Sequence, residues 1–170
     1  VEMVYRAKDG HIPSAFSILE ILSVLYGGFL RFDAKNPKWP ERDYFILSKG
    51  HGCVALYTVL HKHGFLTDHD LEMFCRAGGI LGEHPDCTKV PGVEASTGSL
   101  GHGFPFAVGL ALGLRLKGMN NKICVLVGDG GGAAGPEGVD RARRHRFGGP
   151  REERRPDRGA GPPAHRAGHA

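Results

Sequence analysis

Gly128-Asp129-Gly130 closes the aliphatic run Lys122-Ile-Cys-Val-Leu-Val127. Two glycines let a backbone approach phosphate closely, and the carboxylate between them offers a hard oxygen to a divalent cation. Mg²⁺, and Ca²⁺ as an alternative, wants such oxygens; Mg²⁺ commonly takes one or two carboxylates with phosphate oxygens and water. By itself Asp-Gly is more often plain turn chemistry. Four histidines also sit in glycine-bearing loops, as Asp9-Gly10-His11, Lys49-Gly50-His51-Gly52, Gly82-Glu83-His84-Pro85 and Gly101-His102-Gly103. Imidazoles exchange protons near neutral pH and hydrogen-bond hydroxyls or phosphate, so the four loops point to one polar site for a sugar phosphate or diphosphate. Any one of them serves equally well as a structural loop histidine. His61, His63 and His69 lie on or beside helices among polar neighbours, without a Cys or carboxylate at metal-binding spacing, and are expected to be solvated surface groups.

Ser96-Thr-Gly-Ser-Leu-Gly-His-Gly103 is a glycine-rich turn opening a helix, with backbone N–H groups to offer an anion. It is not the dinucleotide fingerprint, which needs G-x-G-x-x-G straight after a strand and an acidic residue about 20 positions later.

Rigid elements must hold these loops. Ser17-x-x-Glu20 has capping-box spacing, and Ile18, Ile21, Leu22, Leu25, Tyr26 and Phe29 follow at helical intervals, predicting one amphipathic helix. Asn36 to Pro40 reads as loop and Tyr44 to Leu47 as a short buried strand. A helix is expected over Cys53 to His63, with Val54, Tyr57 and Leu60 on one side and Gly64 as its stop. Thr67-x-x-Asp70 signals another ahead of Leu71, Phe74 and Cys75. Residues 78 to 103 form a long loop, followed by a helix from about Phe104 to Lys117, apolar through Val108, Ala111, Leu112 and Leu114 and closed by Gly118. Lys122 to Val127 lacks alternation, as a strand buried on both faces would. The fold class expected is α/β, a parallel sheet flanked by helices with ligands outside the strand ends.

Composition divides the chain near residue 131. Residues 1 to 130 hold 13 Lys and Arg against 13 Asp and Glu, with eight of the nine Phe. Residues 131 to 170 have no Leu, Ile, Lys, Asn, Ser or Thr, and nine Arg against five acids. The net charge of +4 therefore belongs to this tail. It lacks the apolar surface to offset its ordering entropy and is expected to be disordered. Nucleic-acid recognition usually pairs basic groups with stacking aromatics or a folded reader, and the tail has only Phe147, so no nucleic-acid partner is expected. No apolar run approaches the roughly 18 residues of a membrane span. Cys53, Cys75, Cys87 and Cys124 form no C-x-x-C pair and no signal peptide is legible, which predicts reduced thiols in a cytoplasmic protein.

In order, Gly10-His11, Phe45-Ile-Leu-Ser-Lys-Gly-His51-Gly, Gly82-Glu-His84-Pro, the block from Pro91 to Gly103 and Val125-Leu-Val-Gly-Asp-Gly130 resemble the N-terminal, thiamine-diphosphate-binding half of transketolase, in the style of the short subunit of two-chain enzymes. The resemblance spans about residues 5 to 130 and implies an incomplete thiamine-diphosphate-binding fold. It implies transfer of a two-carbon ketol unit between sugar phosphates, thiamine diphosphate and Mg²⁺ (or Ca²⁺) as cofactors, and a C-terminal subunit or a second copy as partner. It assigns Asp129 to the metal, Gly128 and Gly130 to the diphosphate flank, His51 to a diphosphate contact, Gly98 and Leu100 to the aminopyrimidine, and His11 and His84 to substrate hydroxyls and proton transfer. The family's second metal ligand, an Asn on a later strand, has no counterpart, since no Asn follows Asn121. The family's catalytic Glu lies in the following domain or partner subunit. A reading frame shifted after Gly130, and hence a non-catalytic fragment of such a subunit, is the alternative expectation.

Overall fold

The computed structural model describes residues 1–129. Gly130 and the tail expected over 131 to 170 lie outside the described residues.

The chain starts with three short helices, α1 (Glu2–Ala7), α2 (Ile12–Phe16) and α3 (Leu19–Val24), the last running into a π-type turn over Leu25–Phe29. The single helix expected from Ile18 to Phe29 is thus broken, and its capping box is absent. Ser17 ends α2, donating its hydroxyl to the Ser14 carbonyl at 2.9 Å, and no side chain caps α3. The stripe is correspondingly narrower: Ile18, Leu22 and Tyr26 are buried, whereas Ile21 and Phe29 are exposed.

Strand β1 (Tyr44–Leu47) leads through a 3₁₀ turn (Gly50–Gly52) into α4 (Cys53–Lys62). Gly64 follows with φ +82°, a left-handed stop that glycine adopts without a Cβ penalty. Helix α4 packs against α2, α3 and the short α5 (Asp68–Glu72), so burial extends well beyond the Val54, Tyr57 and Leu60 stripe; up to Leu60 only Thr58 is exposed. Helix α5 carries the capping box its sequence announces: the Asp70 backbone N–H donates to Thr67 Oγ1 at 3.2 Å and the Thr67 N–H to Asp70 Oδ2 at 2.7 Å.

After the long loop come α6 (Gly103–Leu116) and β2 (Ile123–Leu126). The strands pair in parallel, Tyr44 with Ile123 through Leu47 with Leu126, and α6 packs on both. Among the described residues the sheet has these two strands, so Ile123 to Val125 are half-buried rather than enclosed on both faces. On α6, Ala107 and Leu114 are buried, while Val108, Ala111 and Leu112 face outward.

Asp43 ties the two halves together. Its enclosed carboxylate accepts the backbone N–H of Arg31 at 2.9 Å and of Lys122 at 2.8 Å, and the Arg31 guanidinium at 2.8 Å. Burial alone would push its pKa up, but the Arg31 and Lys122 donors outweigh it and hold the carboxyl well below the usual carboxylate range.

Candidate functional site

The site forms outside the carboxyl end of β1. Ser48 N–H donates to the Leu126 carbonyl at 2.8 Å, extending the pairing by one residue, and the chain then tightens as Gly52 N–H meets the Lys49 carbonyl at 2.9 Å. This turn holds His51 just beyond the sheet. Gly50 is required there: a Cβ would lie 2.6 Å from the Thr97 carbonyl oxygen. Thr97 is docked in turn by its hydroxyl, which donates to the Leu47 carbonyl at 2.6 Å. A Cβ on Gly103, where α6 begins, would lie 2.7 Å from Ser48 Cα, so the glycine block after residue 96 serves close backbone packing around the strand end.

Three loops separated by up to 73 positions bring His11, His51 and His84 together. The rings of His11 and His51 stand 4.9 Å apart edge to face, those of His51 and His84 5.0 Å, and those of His11 and His84 6.4 Å. Gly98 lies against the His84 ring, where a Cβ would approach to 3.3 Å. His84 Nε2 is fully enclosed yet has no hydrogen-bond partner. Burial lowers the His51 pKa, and the neighbouring His84, His11 and Lys49 lower it further, so this imidazole is biased toward its neutral form.

Lys49 is the functional candidate that residue-by-residue reading missed, although it stands inside the Ser-Lys-Gly-His block. Its ammonium donates to Ser17 Oγ at 2.6 Å, and its stem lies where a Cβ on Gly128 would come within 3.3 Å. The lysine therefore bridges α2 and the end of β2. Asp129 is exposed one residue further on, and Gly130 lies outside the described residues. Leu100 is exposed, as is His102 at the start of α6, and neither joins the trio. His63 is not the solvated group expected: it packs on Phe32, with ring centroids 5.3 Å apart, and on Tyr26. His61 pairs with Asp68 at 2.8 Å, and His69 is exposed.

A diphosphate-bearing cofactor fits this end of the sheet. An orphaned imidazole nitrogen, a lysine with no carboxylate partner among the described residues, and glycine backbone beside it all suit anionic oxygens. No group of three or more His, Cys, Asp or Glu able to hold a metal occurs among the described residues. Asp129 is an exposed carboxylate just beyond β2, and one carboxylate suits an ion completed by phosphate oxygens and water.

The family model for the transketolase thiamine-diphosphate-binding domain matches residues 1–130. The chain belongs to the transketolase family. Its relatives include the 6-deoxy-6-sulfo-D-fructose transketolase subunit SqwG of Clostridium sp. (strain MSTE9), 41% identical over 130 residues that make up 76% of this chain and 47% of that protein. An apulose-4-phosphate transketolase subunit of Phocaeicola vulgatus is 42% identical, over 76% of this chain and 46% of its own. The chain thus spans less than half the length of these transketolase relatives. Among solved structures, Campylobacter jejuni transketolase superimposes with a TM-score of 0.71 at 35% identity, covering 78% of this chain and 22% of that one. Pichia stipitis transketolase in complex with sedoheptulose 7-phosphate gives 0.68 at 35%, covering 75% and 20%. The mixed helix and parallel-strand architecture is that of the transketolase N-terminal domain.

Proposed function

We propose that this chain supplies the diphosphate-binding half of a thiamine-diphosphate-dependent transketolase, moving a two-carbon ketol unit between sugar phosphates in the cytoplasm with a C-terminal subunit or a second copy as partner. The observation that carries this reading is the imidazole trio at the end of β1, with His84 Nε2 enclosed and unpartnered, and with the Lys49 stem against Gly128 after β2. When bound, thiamine diphosphate supplies a thiazolium carbanion for carbon–carbon bond exchange. The protein's residues do the rest. Asp129 would hold Mg²⁺, Gly128 and Gly130 would flank the diphosphate, and His51, biased toward neutrality, would hydrogen-bond its oxygens. Gly98 and Leu100 would face the aminopyrimidine; Gly98 also packs on His84. His11 and His84 bind substrate hydroxyls and carry protons, tasks suited to imidazoles within 6.4 Å of each other. The similarity to a 6-deoxy-6-sulfo-D-fructose transketolase subunit and an apulose-4-phosphate transketolase subunit supports a substrate among sulfonated or phosphorylated sugars. Free thiols at all four cysteines agree with a reducing compartment. The alternative of a non-catalytic fragment draws no support from the family matches.

Calorimetric titration of the full chain with thiamine diphosphate, with and without Mg²⁺, tests the reading. Magnesium-dependent binding that Asp129→Ala abolishes is expected. Absence of binding by the wild-type chain under both conditions, or binding indifferent to Asp129→Ala, overturns the assignment.

A further inference from the structure

The loop that carries His84 is gripped by its carbonyls on both sides of that residue. On α4, Cys53 and Tyr57 lie about one turn apart on the same face, and both are buried. The Tyr57 hydroxyl donates to the Gly82 carbonyl at 3.0 Å, and the Cys53 thiol to the Glu83 carbonyl at 2.9 Å. Beyond His84, the Thr97 N–H donates to the Pro85 carbonyl at 3.3 Å, and Thr97 is itself fastened to the Leu47 carbonyl at the end of β1. Burial pushes the Cys53 thiol up to about 12 and raises the Tyr57 hydroxyl, so both keep the hydrogen they donate near neutral pH.

Helix α4 also starts at a second histidine. The Gly50–Gly52 turn that holds His51 runs directly into Cys53. A bond that merely satisfied a buried hydroxyl or thiol could end on any acceptor. These two end on consecutive carbonyls immediately before His84, whose ring stands 5.0 Å from that of His51, edge to face, and whose Nε2 is enclosed without a partner.

We propose that Tyr57 and Cys53 are positioning residues: by holding the Gly82 and Glu83 carbonyls they set the His84 ring against His51, so that the first turns of α4 register both imidazoles. The inference rests on the reading of the trio as part of the proposed site. With the backbone fixed before and after His84, its ring needs no rearrangement when a ligand supplies the partner that Nε2 lacks.

The histidine rings are followed by NMR in the full chain without cofactor, from about pH 5 to pH 9, which spans histidine titration. The wild-type chain is expected to show a ring-to-ring NOE between His51 and His84. Tyr57→Phe keeps the aromatic ring and removes the donor; it is expected to weaken that NOE and to raise the His51 midpoint by roughly 0.3 pH unit or more. The sign follows from the surroundings of His51: burial and then His84 are the leading causes that lower its pKa, His11 and Lys49 add to them, and Glu83, which opposes them, ranks last. Cys53→Ala is expected to act in the same direction but less, and Cys53→Ser, which keeps a donor, to stay near wild type. Thr58→Val removes a hydroxyl that bonds within α4, to the Val54 carbonyl at 2.8 Å, and is expected to leave the rings in place.

Folded Tyr57→Phe and Cys53→Ala chains whose NOE and midpoint match wild type overturn the proposal. So does a Thr58→Val chain whose rings shift as far as those of Tyr57→Phe, because loss of helix stability alone would then explain the effect. A wild-type chain without the His51–His84 NOE overturns it even where a variant fails to fold. Calorimetry with thiamine diphosphate reads the proposed function separately: a chain that binds no cofactor but shows these ring shifts loses that reading and keeps the positioning role.

Discussion

Helices α4 and α6 are both rich in apolar residues, yet α4 buries seven of its 10 residues and α6 three of its 14. The difference lies in what surrounds them. Helix α4 is wrapped by α2, α3 and α5, with Tyr57 and Leu60 wholly enclosed. Helix α6 rests on β1 and β2, and leaves Phe106 at 51%, Leu112 at 57% and Leu116 at 89% exposure. Apolar periodicity announces a helix; whether its stripe becomes core depends on partners supplied from elsewhere. The imidazole trio straddles the two regions: His11 and His51 are seated on α2 and the turn into α4, and His84 is backed by Gly98 in the loop that runs into α6.

The strongest test of that contrast is a pair of truncations of one residue type. Leu60→Ala removes an enclosed side chain from the α4 core and is expected to cost about 2–5 kcal/mol, the range for buried leucines. Leu112→Ala, on the open face of α6, is expected to stay within about 0.5 kcal/mol. Urea unfolding of both variants measures this directly. Equal losses would mean that the face of α6 is covered in solution and that the contrast between the helices is false.

The joint between the regions is next in size. Asp43 holds Arg31 on one side and the start of β2 on the other, with a pKa well below that of an unfolded aspartate. Its ionised form therefore stabilises the fold above the ordinary carboxylate value of about 3.9, and that contribution disappears as pH falls through the lower folded value. Asp43→Asn is expected to lose about 2 kcal/mol at neutral pH, in line with hydrogen bonds to a charged group. The loss should shrink in acid. A loss independent of pH between about 7 and 2 would assign Asp43 a steric role instead of an electrostatic one.

Elements whose instructions are local were legible. Thr67 and Asp70 form the capping box their spacing announces, Gly64 stops α4, and Tyr44–Leu47 and Ile123–Leu126 are strands. The failures all involve distant partners. Ser17 looks like an N-cap, yet its hydroxyl donates to Ser14 and receives the Lys49 ammonium from 32 positions away. Lys122–Val127 reads as enclosed on both faces, but among the described residues one neighbouring strand and α6 pack against it, and Ile123 to Val125 are half-buried. His63 looks solvated until Phe32 and Tyr26, far back in the chain, fold over it. At the site, glycine-loop context identified the three histidines that meet, but it also nominated His102, because local composition does not encode which loops converge.

The smallest prediction concerns how the two regions begin their helices. Helix α5 starts at Thr67, whose hydroxyl accepts the Asp70 N–H while the Asp70 carboxylate accepts the Thr67 N–H. Helix α6 starts at His102, already helical in φ and ψ, with no side-chain cap. Losing a hydroxyl cap leaves a backbone donor unsatisfied, so Thr67→Ala is expected to cost about 1 kcal/mol. His102→Ala removes an exposed side chain that makes no capping bond and is expected to fall within about 0.5 kcal/mol of wild type. Denaturant midpoints separate the two variants at this scale. If Thr67→Ala proves as mild as His102→Ala, the packing of Phe74 and Leu71 against the core around α4 holds α5 without its cap, and the covered region is governed by burial even at its helix ends.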